Sequence, residues 1–297
     1  MRACLAYVSI EILTICHRRF EMSYKRFTTI AGKTIITRMT DSSFVKCEKD
    51  RRPKMNPTSA AVAKINKINQ ERELTAKLNA NFKPGDWWLT LSNEAGVTVE
   101  ESMEKINKLK RGIQRYCKRN GIPYKMIEAV GIGTVKGKVH HHIVLNNEVP
   151  IEAVYTYWPM EEVFAQPLKG YNYQKVAAYI LKNAEESKDK RGKYMKAFRC
   201  SRQVTRPEQR AEEMKRAASY DAEDLKPRKG YRIDRDSIRV YEHPITGAAC
   251  LEYIEVSTEP EPRIKHYYKG RPARWEGLYQ SELEEQISLD DIVSMEW

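Results

Sequence analysis

Apolar residues recur at helical spacing after Thr98. Val99, Met103, Ile106, Leu109, Ile113 and Tyr116 line one face of a predicted helix. Thr98 and Glu101 form a capping box at its start, and Asn120-Gly121 supplies its stop. A second helix is predicted from about Ala60 to Leu78, with Ser59 as its cap and Val62, Ile65, Ile68, Leu74 and Leu78 as its stripe. A third runs over Asn172–Glu186 with Val176, Ala177, Ile180, Leu181 and Ala184 as its buried face, and a short one is expected near Met160–Phe164. Strand-like runs occupy Trp87–Ser92, 124–134 and 139–145, with Lys136-Gly137 turning between the last two. The order strand, helix, hairpin, helix predicts an α+β fold: a central antiparallel sheet with helices packed on one face.

The flanks read differently. Residues 1–57 form a basic leader with room for one hairpin. Its first apolar run, Ala3 to Cys16, is broken by Ser9, Glu11 and Thr14 and followed by His17-Arg18-Arg19. It is too interrupted for a secretory signal and too short for a bilayer, so it reads as a strand, or as sequence ahead of a start at Met22. Beyond residue 214, acids and bases alternate and prolines interrupt, leaving Val240-Tyr241, Cys250–Val256 and Ile264–Tyr268 as candidate strands. The expected organisation is therefore a leader (1–57), a central domain (58–214) and a smaller appended module (215–297). No segment is apolar enough for a membrane. Six cysteines without C-x-x-C spacing suit a reducing cytoplasm rather than a zinc ribbon. A formal net charge of +12 favours a polyanionic partner.

Two segments carry candidate chemistry. Val139-His140-His141-His142-Ile143-Val144-Leu145 places His140 and His142 on one face of a strand and His141 on the other. Two imidazoles so spaced can chelate one divalent cation, and Glu128 on the preceding strand is a candidate third ligand. Mixed imidazole and carboxylate ligation suits Mg2+ or Mn2+ acting on a phosphate substrate. The same spacing serves other metal hydrolases, or a strand whose histidines are merely packed. On the Asn172–Glu186 helix, Tyr179 sits at the edge of the apolar stripe with Lys175 and Lys182 on its face. Two ammonium groups would favour a nucleophilic phenolate. Tyr173 is the competing nucleophile. Basic residues then cluster, Lys193, Arg199 and Arg202 among them, with Tyr194 and Phe198 interleaved, a composition suited to single-stranded nucleic acid.

Taken in order, these segments resemble the HUH endonucleases, in particular rolling-circle replication initiators of phages, plasmids and small mobile elements. Trp88-Leu89-Thr90-Leu91-Ser92 is similar to the family's first motif, His140-His141-His142 to its H-x-H, and Tyr179-Ile180-Leu181-Lys182 to its Y-x-x-K. Arg199-Cys200-Ser201-Arg202, with Pro207, resembles the stretch that follows. His141 departs from the bulky apolar residue usual there, and Lys175 stands where some members carry a second tyrosine. The resemblance implies a ferredoxin-like or RRM-like nuclease core, with His140, His142 and Glu128 on the metal, Tyr179 and Lys182 catalytic, and Lys175, Lys193, Arg199 and Arg202 on DNA. It implies nicking of single-stranded origin DNA in a bacterial host's cytoplasm, through a 5′-phosphotyrosyl intermediate and a free 3′-OH primer. A P-loop is absent, so unwinding and extension would fall to a host helicase and polymerase. Single-tyrosine transposases and relaxases share this chemistry; a non-enzymatic DNA-binding regulator and a metal hydrolase with an idle Tyr179 are the readings outside it.

Overall fold

In a computed structural model, which describes residues 23–42, 60–133, 137–187, 196–214, 223–245 and 247–259, two five-stranded antiparallel sheets and their helices form an α+β fold. The first sheet has the order β6-β3-β5-β4-β7, with β3 Trp87–Ser92, β4 Met126–Ile132, β5 Val139–Leu145, β6 Val163–Pro167 and β7 Arg199–Cys200. β5, the histidine strand, lies at its centre between β3 and β4. Six of its seven residues are buried. A strand covered on both faces reads as a nearly continuous apolar run, and Val139 and Ile143–Leu145 supply that run around the histidines.

Helices cover both faces of this sheet, where the sequence pattern had suggested one. On the first face lies α2, Val99–Asn120. Thr98 caps it with the predicted capping box, and Gly121 ends it in the left-handed region at φ 66°. Ile106, Leu109, Ile113 and Cys117 bury its stripe against Leu89, Leu91, Ile143 and Leu145. Each fully buried aliphatic side chain contributes about 1.5–3 kcal/mol relative to exposure, which fixes the sheet's faces. A short helix, α3 (Glu152–Tyr155), packs beside α2. The helix expected near Met160–Phe164 is one 3-10 turn, Met160–Glu162, leading into edge strand β6. On the opposite face lies α4, Gln174–Glu186, packed on β4 and against α1, Ala60–Asn81.

The second sheet has the order β8-β1-β2-β10-β9. Its strands come from all three segments separated in the sequence: β1 Ser23–Ala31 and β2 Thr34–Ser42 from the leader, β8 Gln209–Met214 from the central stretch, and β9 Tyr231–Glu242 and β10 Ala249–Ser257 from the C-terminal stretch. The β1–β2 turn uses Gly32 at φ 57°, where a Cβ would lie 2.3 Å from the Asn79 carbonyl oxygen of α1, so only glycine fits. Ion pairs Arg72–Glu252 and Glu71–Arg239 (2.6 Å) hold α1 to this sheet. The candidate strand Ile264–Tyr268 lies outside the described residues. Among the described residues, no helix is long and apolar enough to cross a membrane.

Candidate active site

Cross-strand partners share a sheet face. His142 opposes Thr90 on β3 and Ala129 on β4, and His140 opposes Ser92 and Gly131. These residues look toward α4. The imidazole centroids of His140 and His142 are 4.8 Å apart. Tyr179 comes down from α4 onto His142, with ring centroids 5.1 Å apart and nearly perpendicular planes, and onto Trp88 at 5.6 Å. Of the residues singled out for metal and nucleophile, His140, His142 and Tyr179 therefore meet at one place. Tyr179 is half-buried, His142 is buried and His140 is partly open.

The hydrogen bonds set the imidazole tautomers. His140 Nδ1 lies 3.3 Å from the Lys138 carbonyl, which can only accept, so Nδ1 carries the proton and Nε2 keeps its lone pair. His142 Nδ1 lies 3.2 Å from Thr90 Oγ1, a hydroxyl that can donate or accept; with Nδ1 as donor, Nε2 keeps its lone pair. That Nε2 is buried without a hydrogen-bond partner, an arrangement costly unless a ligand satisfies it. Burial, first of all, lowers the pKa of both rings, that of His142 to about 3, so both are neutral at ordinary pH. Neutral imidazole is the ligating form. Gly131 makes room: a Cβ there would lie 2.3 Å from His140 Nε2.

Two adjacent neutral imidazoles, with the His142 Nε2 buried and unpartnered, suit a divalent cation. Asn183, one turn after Tyr179 on α4, donates its amide to the Tyr179 backbone carbonyl at 2.9 Å, and it acts on the titration of both imidazoles and the phenol. Among the described residues, no cluster of three or more His, Cys, Asp or Glu side chains is found.

Several sequence-based assignments move. Glu128 opposes Ile143, one position off the His142 row, so it projects from the other face of the sheet. There it pairs with Lys110 and accepts from His141 Nδ1 at 3.2 Å; His141 Nε2 in turn meets Ser102 Oγ at 2.7 Å. Glu128 cannot ligate a cation held by His140 and His142. Lys175 forms an ion pair with Asp236 on β9 at 3.1 Å rather than flanking the phenol. Burial raises the Tyr179 pKa, Asn183 partly opposes this, and the Glu186 charge adds to the rise. The expected phenolate stabilisation by Lys175 and Lys182 is thus replaced by a protonated phenol. Lys182 is exposed on α4, one turn past Tyr179. Arg199 and Arg202 open onto the Glu128 face, and Lys193 lies outside the described residues. Tyr173 is buried, its hydroxyl donating to the Gly170 carbonyl at 2.7 Å, which removes it as a nucleophile.

Four site residues escaped the sequence reading: Asn183, Thr90, Trp88 and Gly131. The i+4 spacing of Asn183 from Tyr179 was a usable signal, as was a glycine inside a strand facing H-x-H. Thr90 and Trp88 lay inside a recognised strand but needed its register.

Comparison of the chain with protein-family models, with curated proteins and with solved structures returned no match.

Proposed function

We propose that the protein is a metal-dependent, tyrosine-nucleophile endonuclease that nicks single-stranded DNA as a rolling-circle replication initiator. The observation that supports this reading is the packing of the Tyr179 phenol on His142, whose buried Nε2 has no partner and whose ring adjoins that of His140. A divalent cation held by His140 and His142 supplies neutralisation of charge at the scissile phosphate. With Glu128 on the opposite face, a nitrogen-rich site suits manganese better than magnesium, which prefers oxygen ligands.

Tyr179 Oη attacks phosphorus in line. The bond to the 3′ oxygen breaks, a 5′-phosphotyrosyl bond forms and the 3′ oxygen leaves as a hydroxyl able to prime a polymerase. The phenol starts protonated; its proton passes to solvent as the bond to phosphorus forms, and the departing 3′ oxygen takes one up from solvent. Asn183, donating to the Tyr179 backbone carbonyl, fixes the turn of α4 that carries the ring. Lys182, exposed one turn along the same helix, screens the phosphate charge. Trp88, whose buried Nε1 has no hydrogen-bond partner, forms the wall behind the phenol. The energy of the broken bond is retained in the phosphotyrosyl linkage, so a later 3′ hydroxyl can be rejoined without ATP.

The test is manganese-dependent nicking of an origin-bearing single-stranded oligonucleotide. Wild-type protein is expected to nick. Tyr179→Phe is expected to bind DNA without nicking, and His140→Ala with His142→Ala to lose both nicking and manganese binding. Undiminished nicking by the double histidine variant would remove the metal from the reading.

A further inference from the structure

A cavity of about 750 Å³ lies on the Glu128 face of the first sheet, between α2 and the β4–β7 edge. Lys110 and Lys118 line it from α2, and Arg199 and Arg202 from β7 and the turn after it. Among the described lining residues Glu128 is the one carboxylate, and it is already engaged by Lys110 and His141. Four cations thus stand against one anion in a concave site, where low-dielectric walls concentrate the field. Burial, and then the Arg199 charge, bring the Lys110 pKa down to about 8. Tyr124 and Met126 give the cavity an apolar flank, with the Tyr124 hydroxyl turned onto the Met126 sulfur at 3.1 Å.

We infer that this cavity binds a nucleotide, its phosphate held by Arg199, Arg202 and Lys118 and its base laid against Tyr124 and Met126. Guanidinium forks match phosphate oxygens in pairs, which a surface lysine patch does not. The volume is within the range of small-molecule sites and exceeds what a bare phosphate fills. An apolar flank beside the cations gives a base its place. Sheet β3–β5–β4 separates this cavity from Tyr179, so the site is independent of the nicking reading. The nucleotide arrives either free or as one unit of a bound strand.

The experiment is equilibrium dialysis of full-length protein in EDTA against labelled deoxyadenosine 5′-monophosphate. At a free concentration of roughly ten times Kd about ten sites in eleven are filled, so binding is expected to level off near one nucleotide per chain. Deoxyadenosine and inorganic phosphate at the same concentration should each displace less label than the unlabelled mononucleotide. Arg202 is exposed, so Arg202→Gln should fold, and it should weaken binding at least tenfold. Binding of a short single-stranded oligodeoxynucleotide, but not of the mononucleotide, would assign the nucleotide to a strand, provided that Arg202→Gln removes it. Equal displacement by phosphate alone, no binding of any probe, or binding unaltered in Arg202→Gln would overturn the inference. The Tyr179→Phe protein should bind like wild type, which keeps this result separate from any failure of nicking.

Discussion

Gly131 decides whether His140 can lie flat on the sheet. The ring occupies the position a side chain would take, with Nε2 2.3 Å from where a Cβ would sit. Gly131→Ala should push the imidazole away from its partner while leaving β4 paired, since the Gly131 backbone is not left-handed. The expected outcome is at least a tenfold loss of manganese affinity, comparable to the loss of an orienting contact around a ligand, with little change in the unfolding midpoint. Calorimetric titration with manganese checks it. Unchanged affinity would mean that His140 is not held against Gly131 as a ligand. Asn183 belongs to the same scale: it ties the backbone of α4 at Tyr179, donating to that carbonyl at 2.9 Å.

Between elements, the network from Lys110 through Glu128 and His141 to Ser102 ties α2 to the centre of the sheet. Asn93 extends it, donating to Ser102 Oγ at 2.8 Å and to the Val139 carbonyl at 2.9 Å. Glu128→Ala would leave Lys110 beside Arg199 with no counter-charge. Because Lys110 reaches solvent in part, the expected cost is about 3 kcal/mol, the lower end for breaking a buried ion pair. Urea unfolding measures this, and the remaining folded protein should still bind manganese, whereas a true ligand's loss would abolish binding. Buried histidines on both faces of the sheet make the fold acid-sensitive. Burial lowers the pKa of His141 and His142 from 6.5 to about 3. The unfolded chain therefore takes up more protons between these values, and this stability is present above pH 6.5 and lost as pH falls toward 3. Urea midpoints should drop steadily over that window. A midpoint independent of pH there would contradict the buried, neutral histidines.

Over the whole molecule, the second sheet positions α4, the helix that carries Tyr179. Asn79 at the end of α1 donates to Thr34 Oγ1 on β2 and accepts from the Tyr173 backbone N–H at the start of α4, both at 2.9 Å. Asn172 adds a bond to Asp234 on β9 at 2.8 Å. At its other end α4 is held to the first sheet, where Ser187 Oγ accepts from the Ile132 backbone N–H at 2.7 Å. A fragment limited to residues 58–214 lacks four of the second sheet's five strands. It is expected to lose cooperative unfolding by circular dichroism, while protein retaining residues 23–259 keeps it. A cooperatively folded 58–214 fragment would show that the helix needs no such support.

Local pattern made much of this legible. The capping box at Thr98, the α2 stripe, the β4–β5 hairpin and the shared face of His140 and His142 all follow from periods of 3.6 and 2 and from cap chemistry. What the pattern missed is non-local. Whether Glu128 faces the histidines depends on a one-residue register between strands. The partner of Lys175 sits on β9, and a sheet assembled from residues 23–42 and 209–257 has no signature within any single stretch. The basic loop reading of Arg199 and Arg202 had the charge but not the face.

The most direct measurement is mass spectrometry of the nucleotide-bearing peptide after nicking of single-stranded DNA with manganese. The account predicts one modified peptide, containing residues 174–182, with the adduct on Tyr179. Nucleotide on any other residue, or cleavage with no covalent protein–DNA product, would contradict it.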